Sequence, residues 1–334
     1  MPIQFRPARR SEARPLIGIH GESFCGKTLS ALLLARGFVG PAGTIAMIET
    51  EGGRGESYAD VGAIAGWKKE LDPGPYHVLP LRGGEEGGFS PRRYGEAISV
   101  AEEKKVDALI IDSASHEWSG IGGVLDMAEK NKASGSKAVL VWQRPKMDHE
   151  RFFMLRFQHT TIPLVILCMR SKFRMVEASA GKWEKSKTLD PIQADDILFD
   201  LFVHGWVSPG SHNFNVTKLT RPDLASVFVD GRPLGIDTGQ RLAEWCRGAS
   251  QPTTNADATT RQAGDAAHQR MLGDSAANMG TATLQTFWKA LGGAMQKAVG
   301  GPEQLEKWKA LAATADAEAA SAAEADRIAE GGAP

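Results

Sequence analysis

Short aliphatic runs separated by amphipathic stretches set the rhythm of most of the chain. LIGIH (16–20), TIAMIE (44–49), ALIIDS (108–113) and IPLVILCM (162–169) are apolar without alternation, as expected of strands buried on both faces. Segments of helical period lie between them. The pattern therefore predicts an α/β fold, with a mostly parallel sheet flanked by helices. LFVHGWV (201–207), FNVTKL (214–219) and SVFV (226–229) read as further strands or hairpins closing that core. From 249 to about 282 the chain turns polar with little periodicity, the composition of a flexible linker. Beyond it Leu284, Phe287, Trp288, Leu291 and Met295 recur at helical spacing, Gly300-Gly301-Pro302 interrupts, and Leu305, Trp308, Leu311 and Ala312 resume. This predicts a small C-terminal helical appendage: a hairpin over 283–315, too small to bury both faces alone, then an Ala-rich acidic tail over 316–334 of helical propensity. The expected division is a basic arm at 1–14, a core at 15–248, the linker, the hairpin and the tail.

Composition narrows the class. The 334 residues are 42% hydrophobic and 24% charged, as in soluble globular chains. Three cysteines, Cys25, Cys168 and Cys246, are too few and scattered for a disulfide scaffold or a Cys-based zinc site. A reducing compartment, the cytoplasm, is the expected location. The apolar stretch at 161–169 is far short of the roughly 20 residues that span a bilayer. The N-terminal arginines lack the apolar run of a signal peptide, so no membrane partner is expected.

Gly21-Glu22-Ser23-Phe24-Cys25-Gly26-Lys27-Thr28 fits G-x-x-x-x-G-K-[ST] in full, with an apolar strand before it and a helical pattern after it. In such a loop, backbone N–H groups converge on phosphates and the helix N-terminus adds partial positive charge. Lys27 then neutralises the β- and γ-phosphates, and the Thr28 hydroxyl is a ligand for Mg²⁺. These residues imply ATP and Mg²⁺ as cofactors. Cys25 inside the loop makes thiol modification an expected way to obstruct ATP.

Val106-Asp107-Ala108-Leu109-Ile110-Ile111-Asp112 delivers Asp112 at the carboxyl end of a strand, where open α/β sheets bind ligands and a Mg²⁺-holding aspartate is needed. Ser113, His116 and Glu117 follow as candidates for contact with the γ-phosphate or its water, a solvated loop being the other reading of His116 and Glu117. The run Glu49-Thr50-Glu51 supplies a carboxylate to orient or deprotonate the attacking water. Either glutamate fits; Glu51, farther past the strand, is favoured, with Glu49 supporting it.

These residues resemble RecA-like P-loop ATPases carried by bacteriophages and mobile elements, AAA-domain ATP-binding proteins that include single-strand annealing recombinases of the Sak type. The resemblance spans about 14–247 and rests on GESFCGKT, IETEGGRG, IIDSASHEW, CMRSK at 168–172 and NVTKLTRPDL. It implies a RecA-like core, Glu51 as catalytic base, and Arg170 or Ser171 as γ-phosphate sensor. It also implies that Lys218 and Arg221 reach a neighbouring subunit's ATP site in a homo-oligomer. The C-terminal GTATLQTFWKAL…LEKWKALAATADA is similar to segments appended to phage annealing and recombination proteins. A single-strand-binding protein or another replication factor is the implied partner.

Charge distribution points to single-stranded DNA. Residues 144–187 hold ten Lys+Arg against four acids, a net of +6, with phenylalanines and Trp183 interleaved. Phosphates would be neutralised while bases stack. Phe152, Phe153 and Phe157 read better as helix core, Phe153 and Phe157 being four apart. Arg174, Lys182, Trp183, Lys185 and Lys187 fall in an exposed hairpin or loop and are the expected DNA contacts, with Arg6, Arg9, Arg10 and Arg14 as a further basic arm. The overall charge of −1 hides this, because the chain from Glu303 onward carries seven acids and three bases. The leading expectation is thus a DNA-stimulated ATPase of recombination or annealing. A nucleotide-gated helicase loader or regulator and a P-loop small-molecule kinase are the alternatives.

Overall fold

The computed structural model describes residues 8, 10, 13–179, 182–248, 266, 269–270 and 272–331, with parts of the 171–191 hairpin and the last helix described by their backbone alone. It divides into two compact units, Met1–Gln251 and Pro252–Pro334. The larger unit is built on an eight-stranded sheet whose strands are β1 (Leu16–Gly21), β2 (Ile45–Glu49), β3 (His77–Pro80), β4 (Ala108–Asp112), β5 (Leu164–Ser179), β6 (Lys182–Pro191), β7 (Val203–Val207) and β8 (Phe214–Leu219). Their order is β3-β2-β4-β5-β1-β7-β8, with β6 paired to β5. Pairing is parallel from β3 through β7; β7–β8 and β5–β6 are antiparallel.

The apolar runs explain why this sheet is covered on both sides. Successive strand residues point to opposite faces. Ile17, Ile19, Met47, Ile110 and Ile166 fill one core, with α1 (Lys27–Val39) and α4 (Ile236–Arg247) over them. Ile48, Leu109, Ile111, Val165 and Leu167 fill the other, under α2 (Pro91–Glu103) and α3 (Leu155–His159). Helices α1 and α4 meet backbone to backbone: a Cβ on Gly37 would lie 1.9 Å from the Ile236 carbonyl oxygen, and one on Gly239 2.1 Å from that of Leu34. The mostly parallel α/β sheet flanked by helices is therefore as the hydrophobic pattern predicts.

Three details differ. Strand β3 has no apolar run to announce it and ends in Pro80 at the sheet edge, where a missing N–H is tolerated. SVFV is not a strand: a 3-10 turn at Pro222–Ser226 takes in its serine, and Val227 and Phe228 plug the core, their N–H groups donating to Leu224 O. A four-residue apolar run fits a buried turn as well as a ladder. Phe153 and Phe157 are core residues as read, meeting edge-on at 4.8 Å, while Phe152 is only half-buried beneath the Arg92 guanidinium.

In the smaller unit, residues 272–278 are helical although expected in a linker; Ala276 and Ala277 are buried there. Three more helices follow, Thr281–Ala290, Gly293–Ala298 and Gly301–Gly331, so the expected tail continues the last one. Trp308 centres this core, edge-on to Phe287 and Trp288, with its indole N–H on Asp274 at 2.6 Å. Residues 249–265 of the expected linker, and Arg6 and Arg9 of the arm, lie outside the described residues. Arg10 sits over the Trp245 ring at 4.9 Å.

Candidate functional site

Strand β1 ends at Gly21, and helix α1 starts at Lys27 after a loop that turns at Gly26 (φ 101°), a left-handed conformation open to glycine. No acidic side chain occupies the first turn of α1, so its N-terminal partial positive charge is not offset locally. The Lys27 ammonium lies inside the loop, donating to the carbonyl oxygens of Gly21 (3.1 Å) and Glu22 (2.7 Å). Glu22, Ser23 and Phe24 are exposed, Phe24 to 86%. Cys25 is not the accessible thiol that the sequence suggests. Its side chain is fully buried beneath the loop, against Gly21.

Because β5 runs between β1 and β4, Asp112 and Ile19 both pair with Cys168 and stand level in the sheet. Thr28 bridges the gap: its hydroxyl donates to Asp112 Oδ2 at 2.5 Å. Burial pushes the Asp112 carboxyl up to about 6, and the charges of Glu51 and Glu49 add to this against the Thr28 hydrogen bond and Lys27. A bound cation relieves that kind of destabilisation. Among the described residues no three His, Cys, Asp or Glu side chains cluster as a protein-only metal cage. Mg²⁺ needs only one or two protein oxygens beside phosphates and water, and Thr28 and Asp112 offer such a pair.

The two glutamates after β2 have different roles. Glu49 is fully buried, and its carboxylate accepts from the backbone N–H of Glu51 (2.6 Å) and Gly53 (2.9 Å) and from Arg82 (2.8 Å). It shapes the loop, with both of its oxygens engaged by these donors. Glu51 is gripped by Arg170, Nε and Nη2 each donating at 2.8 Å. Burial would raise the Glu51 carboxyl, but the Arg170 bonds and charge, with His116 and Arg54, hold it below the usual range. Thr50, between them, receives the Ser113 N–H at 2.7 Å and meets His116 Nδ1 at 2.8 Å. The His116 ring stacks on Phe89 at 4.8 Å, and burial lowers its pKa, with Arg170 nearby. Lys27, Thr28, Asp112, Glu51, Arg170 and His116 thus form one neighbourhood at the carboxyl ends of adjacent strands.

Other candidates are turned elsewhere. Ser113 is buried, its hydroxyl accepting from the Ser115 N–H. Glu117 is fully buried and bonded to His149 Nδ1 at 2.9 Å and to Gln193 at 3.3 Å, so it braces the helices rather than facing the loop. Ser171 Oγ pairs with His20 Nδ1 at 2.7 Å. That engages its hydroxyl and leaves Arg170 as the better-placed sensor candidate. Lys218 donates to the carbonyls of Leu198 (2.5 Å) and Phe199 (3.0 Å), and Arg221 holds Asp223 and lies over Trp245. Both cations, expected to reach a neighbour, are engaged within their own chain.

The β5–β6 pair forms the hairpin expected over 174–187, from Ser171↔Pro191 to Ser179↔Lys182. Lys182 is exposed; the side chains of Arg174, Trp183, Lys185 and Lys187 lie outside the described residues. At the hairpin's foot opens a cleft of about 1130 Å³, bordered by Trp118, Lys146, His149, Arg151, Lys172 and Gln193. His149 precedes a π-helical turn at Glu150–Met154 and has a buried Nε2 with no hydrogen-bond partner.

No family model matches the chain, and no curated protein matches it. The residues around the loop are therefore read from their own geometry. Those that sequence reasoning passes over are Thr50, Ser115, Arg82 and Gln193. Thr50 had a signal, its place between two glutamates. Ser115 Oγ accepts the Arg170 N–H at 2.8 Å, and nothing in its local sequence announces that. Arg82 and Gln193 reach Glu49 and Glu117 across 33 and 76 residues. Among the described residues, no helix is long and apolar enough to cross a membrane.

Proposed function

We propose that the chain is a RecA-like P-loop ATPase that binds single-stranded DNA as a homo-oligomer and acts in recombination or annealing in the cytoplasm. The observation that carries the nucleotide half is the Thr28–Asp112 hydrogen bond at the mouth of a complete phosphate loop, with Glu51 and Arg170 beside it. Lys27 and the loop N–H groups hold the phosphates, and Thr28 and Asp112 would hold Mg²⁺. The metal ion, when bound, would neutralise phosphate charge. Glu51 orients a water toward the γ-phosphorus and accepts its proton as the new P–O bond forms and the bond to the bridging oxygen breaks, releasing ADP. Both roles require Arg170 to turn from the Glu51 carboxylate to the transferred group, whose charge it then balances.

The DNA half is supported by the basic composition of the hairpin with its Trp183; the cleft at its foot holds Lys146, Arg151, Lys172 and Trp118 but also Glu150, Asp195 and Asp196, so its charge is balanced. Cations for phosphates and an aromatic ring for bases suit a single strand. A second reading, a nucleotide-gated loader with little turnover, is favoured by the grip of Arg170 on Glu51, which withholds the base until the arginine moves.

The test is ATP hydrolysis with and without single-stranded DNA, alongside DNA retention with ATP. DNA-stimulated turnover that vanishes in Lys27→Ala is the expected result. Turnover indifferent to every nucleic acid, with no DNA retained, sinks the recombination reading. DNA retained upon ATP binding without turnover supports the gated module instead.

A further inference from the structure

The strand order gives the phosphate loop two flanks. On one, β5, β4 and β2 bring Arg170, Asp112 and Glu51 toward Gly21. On the other, β7 pairs with β1 from Ile17↔Val203 to His20↔Trp206, and the turn 208–213 leads from it into β8. A nucleoside triphosphate whose γ-phosphate faces the first flank carries its nucleoside toward the second.

That turn is firmly built. The Ser208 N–H donates to Asn213 O at 2.9 Å and the His212 N–H to Ser208 O at 3.0 Å. The Asn215 amide braces Ser208 Oγ at 2.8 Å. His212, the only aromatic residue of the turn, is exposed and held at φ 56°, an uncommon conformation for a residue with a side chain. Its Nδ1 donates to the carbonyl oxygen of Cys25, inside the phosphate loop, at 2.7 Å. The ring meets the loop by this edge: a Cβ on Gly26 would lie 2.9 Å from Nδ1. An in-plane hydrogen bond of this kind fixes the ring and leaves its faces for stacking.

We propose that His212 is the nucleoside-binding residue of the site, an aromatic platform on which the base of a nucleoside triphosphate stacks while its phosphates occupy the loop. The proposal rests on the nucleotide-binding reading above and adds which residue separates a nucleotide from a bare polyphosphate. The phosphate loop alone recognises phosphates, which every nucleotide and inorganic triphosphate share. His212 adds recognition of the nucleoside.

The experiment is calorimetric titration of the full-length protein, in Mg²⁺, with ATP and separately with inorganic tripolyphosphate. Wild type is compared with His212→Ala and His212→Asn. Asparagine tolerates the left-handed backbone and keeps a donor for Cys25 O. The expected result is that wild type binds ATP more tightly than tripolyphosphate. Both variants lose about tenfold in ATP affinity, within the range of one lost base–aromatic stack, with tripolyphosphate affinity unchanged. Equal loss for both ligands means that His212 only props the loop, and overturns the proposal. Unchanged ATP affinity in the variants overturns it too. A wild-type protein that binds neither ligand overturns the nucleotide-binding reading itself, and this proposal with it.

Discussion

Glu51 and Arg170 lie 119 residues apart in sequence and meet through two parallel hydrogen bonds of 2.8 Å, Nε to Oε1 and Nη2 to Oε2. A guanidinium fork on a carboxylate fixes both planes as well as both charges. The pair does two things at once: it keeps the carboxylate ionised, and it occupies both of its oxygens.

A pH dependence follows from the first effect. With its pKa held low, Glu51 remains ionised through the ordinary carboxylate range, so at saturating Mg²⁺, which keeps Asp112 ionised as well, the acid limb of the turnover profile lies below that range. Arg170→Ala removes the two hydrogen bonds and the nearest opposing charge, leaving burial opposed only by His116 and Arg54. The acid limb then moves upward, and maximal turnover drops about 100-fold through lost transition-state charge balance. Steady-state turnover of wild type and variant across the acid range checks both outcomes.

The neighbouring glutamates separate by assay. Glu51→Gln lowers turnover by about 100-fold or more and leaves nucleotide binding and the unfolding midpoint close to wild type. Glu49→Ala leaves two backbone N–H groups and Arg82 without their acceptor. Arg82 is partly exposed, which moderates the loss, so about 2–3 kcal/mol of stability goes. Urea unfolding and nucleotide titration of both variants make the comparison. An equal stability loss in both is the contrary result.

His20 and His204 stack at 4.6 Å, buried at the base of the loop. Burial lowers His20 to about 3, helped by the charges of His204 and Lys27, and His204 to about 4, helped by Lys218. Both rings stay neutral in the fold while the unfolded chain protonates near 6.5, so stability falls as pH drops below that value. The slope is about 1.4 kcal/mol per pH unit for each ring. The His149–Glu117 pair acts oppositely, both pKa values being raised in the fold, so the informative quantity is a difference between variants. His204→Phe keeps a stacking ring and removes a buried Nε2 that has no partner. It loses less stability than wild type between pH 7 and 5 in urea titrations.

All three thiols are buried. Ellman titration therefore proceeds slowly in the native protein and to completion in urea, with ATP making little difference to the native rate. Rapid native labelling of Cys25, abolished by ATP, is the opposite outcome and places that thiol at the loop surface.

The hydrophobic pattern makes the sheet legible because a strand buried on both faces needs an unbroken apolar run, and β1, β2, β4 and β5 each have one. Edge strand β3 lacks that need and left no trace. The site was legible where chemistry demands adjacency in sequence, as in Gly21–Thr28, and at strand ends such as Asp112 and Arg170. It was illegible where a residue type has two uses. Glu49 and Glu51 look alike in the sequence, and only the backbone path after β2 sends one into N–H donors and the other to Arg170. Lys218 and Arg221 look like projecting cations, but the carbonyls of Leu198 and Phe199 and the Asp223–Trp245 corner hold them within the chain.

Strand β5 is a single 16-residue ribbon. Up to Arg170 it is an inner member of the parallel sheet, and from Ser171 it projects as one arm of the hairpin. The change of role happens at a fixed point: Ser171 is tied to His20, Ile192 N–H donates to Arg170 O at 2.7 Å, and Ser115 receives the Arg170 N–H. The hairpin is in effect a cantilever clamped at its root. Ser179 stands about 30 Å along the ribbon from Arg170. Two register shifts, at Phe173/Met175 and Glu177/Ser179, interrupt the ladder on the way, so the direction of the arm is set at its root, beside the residue that grips Glu51.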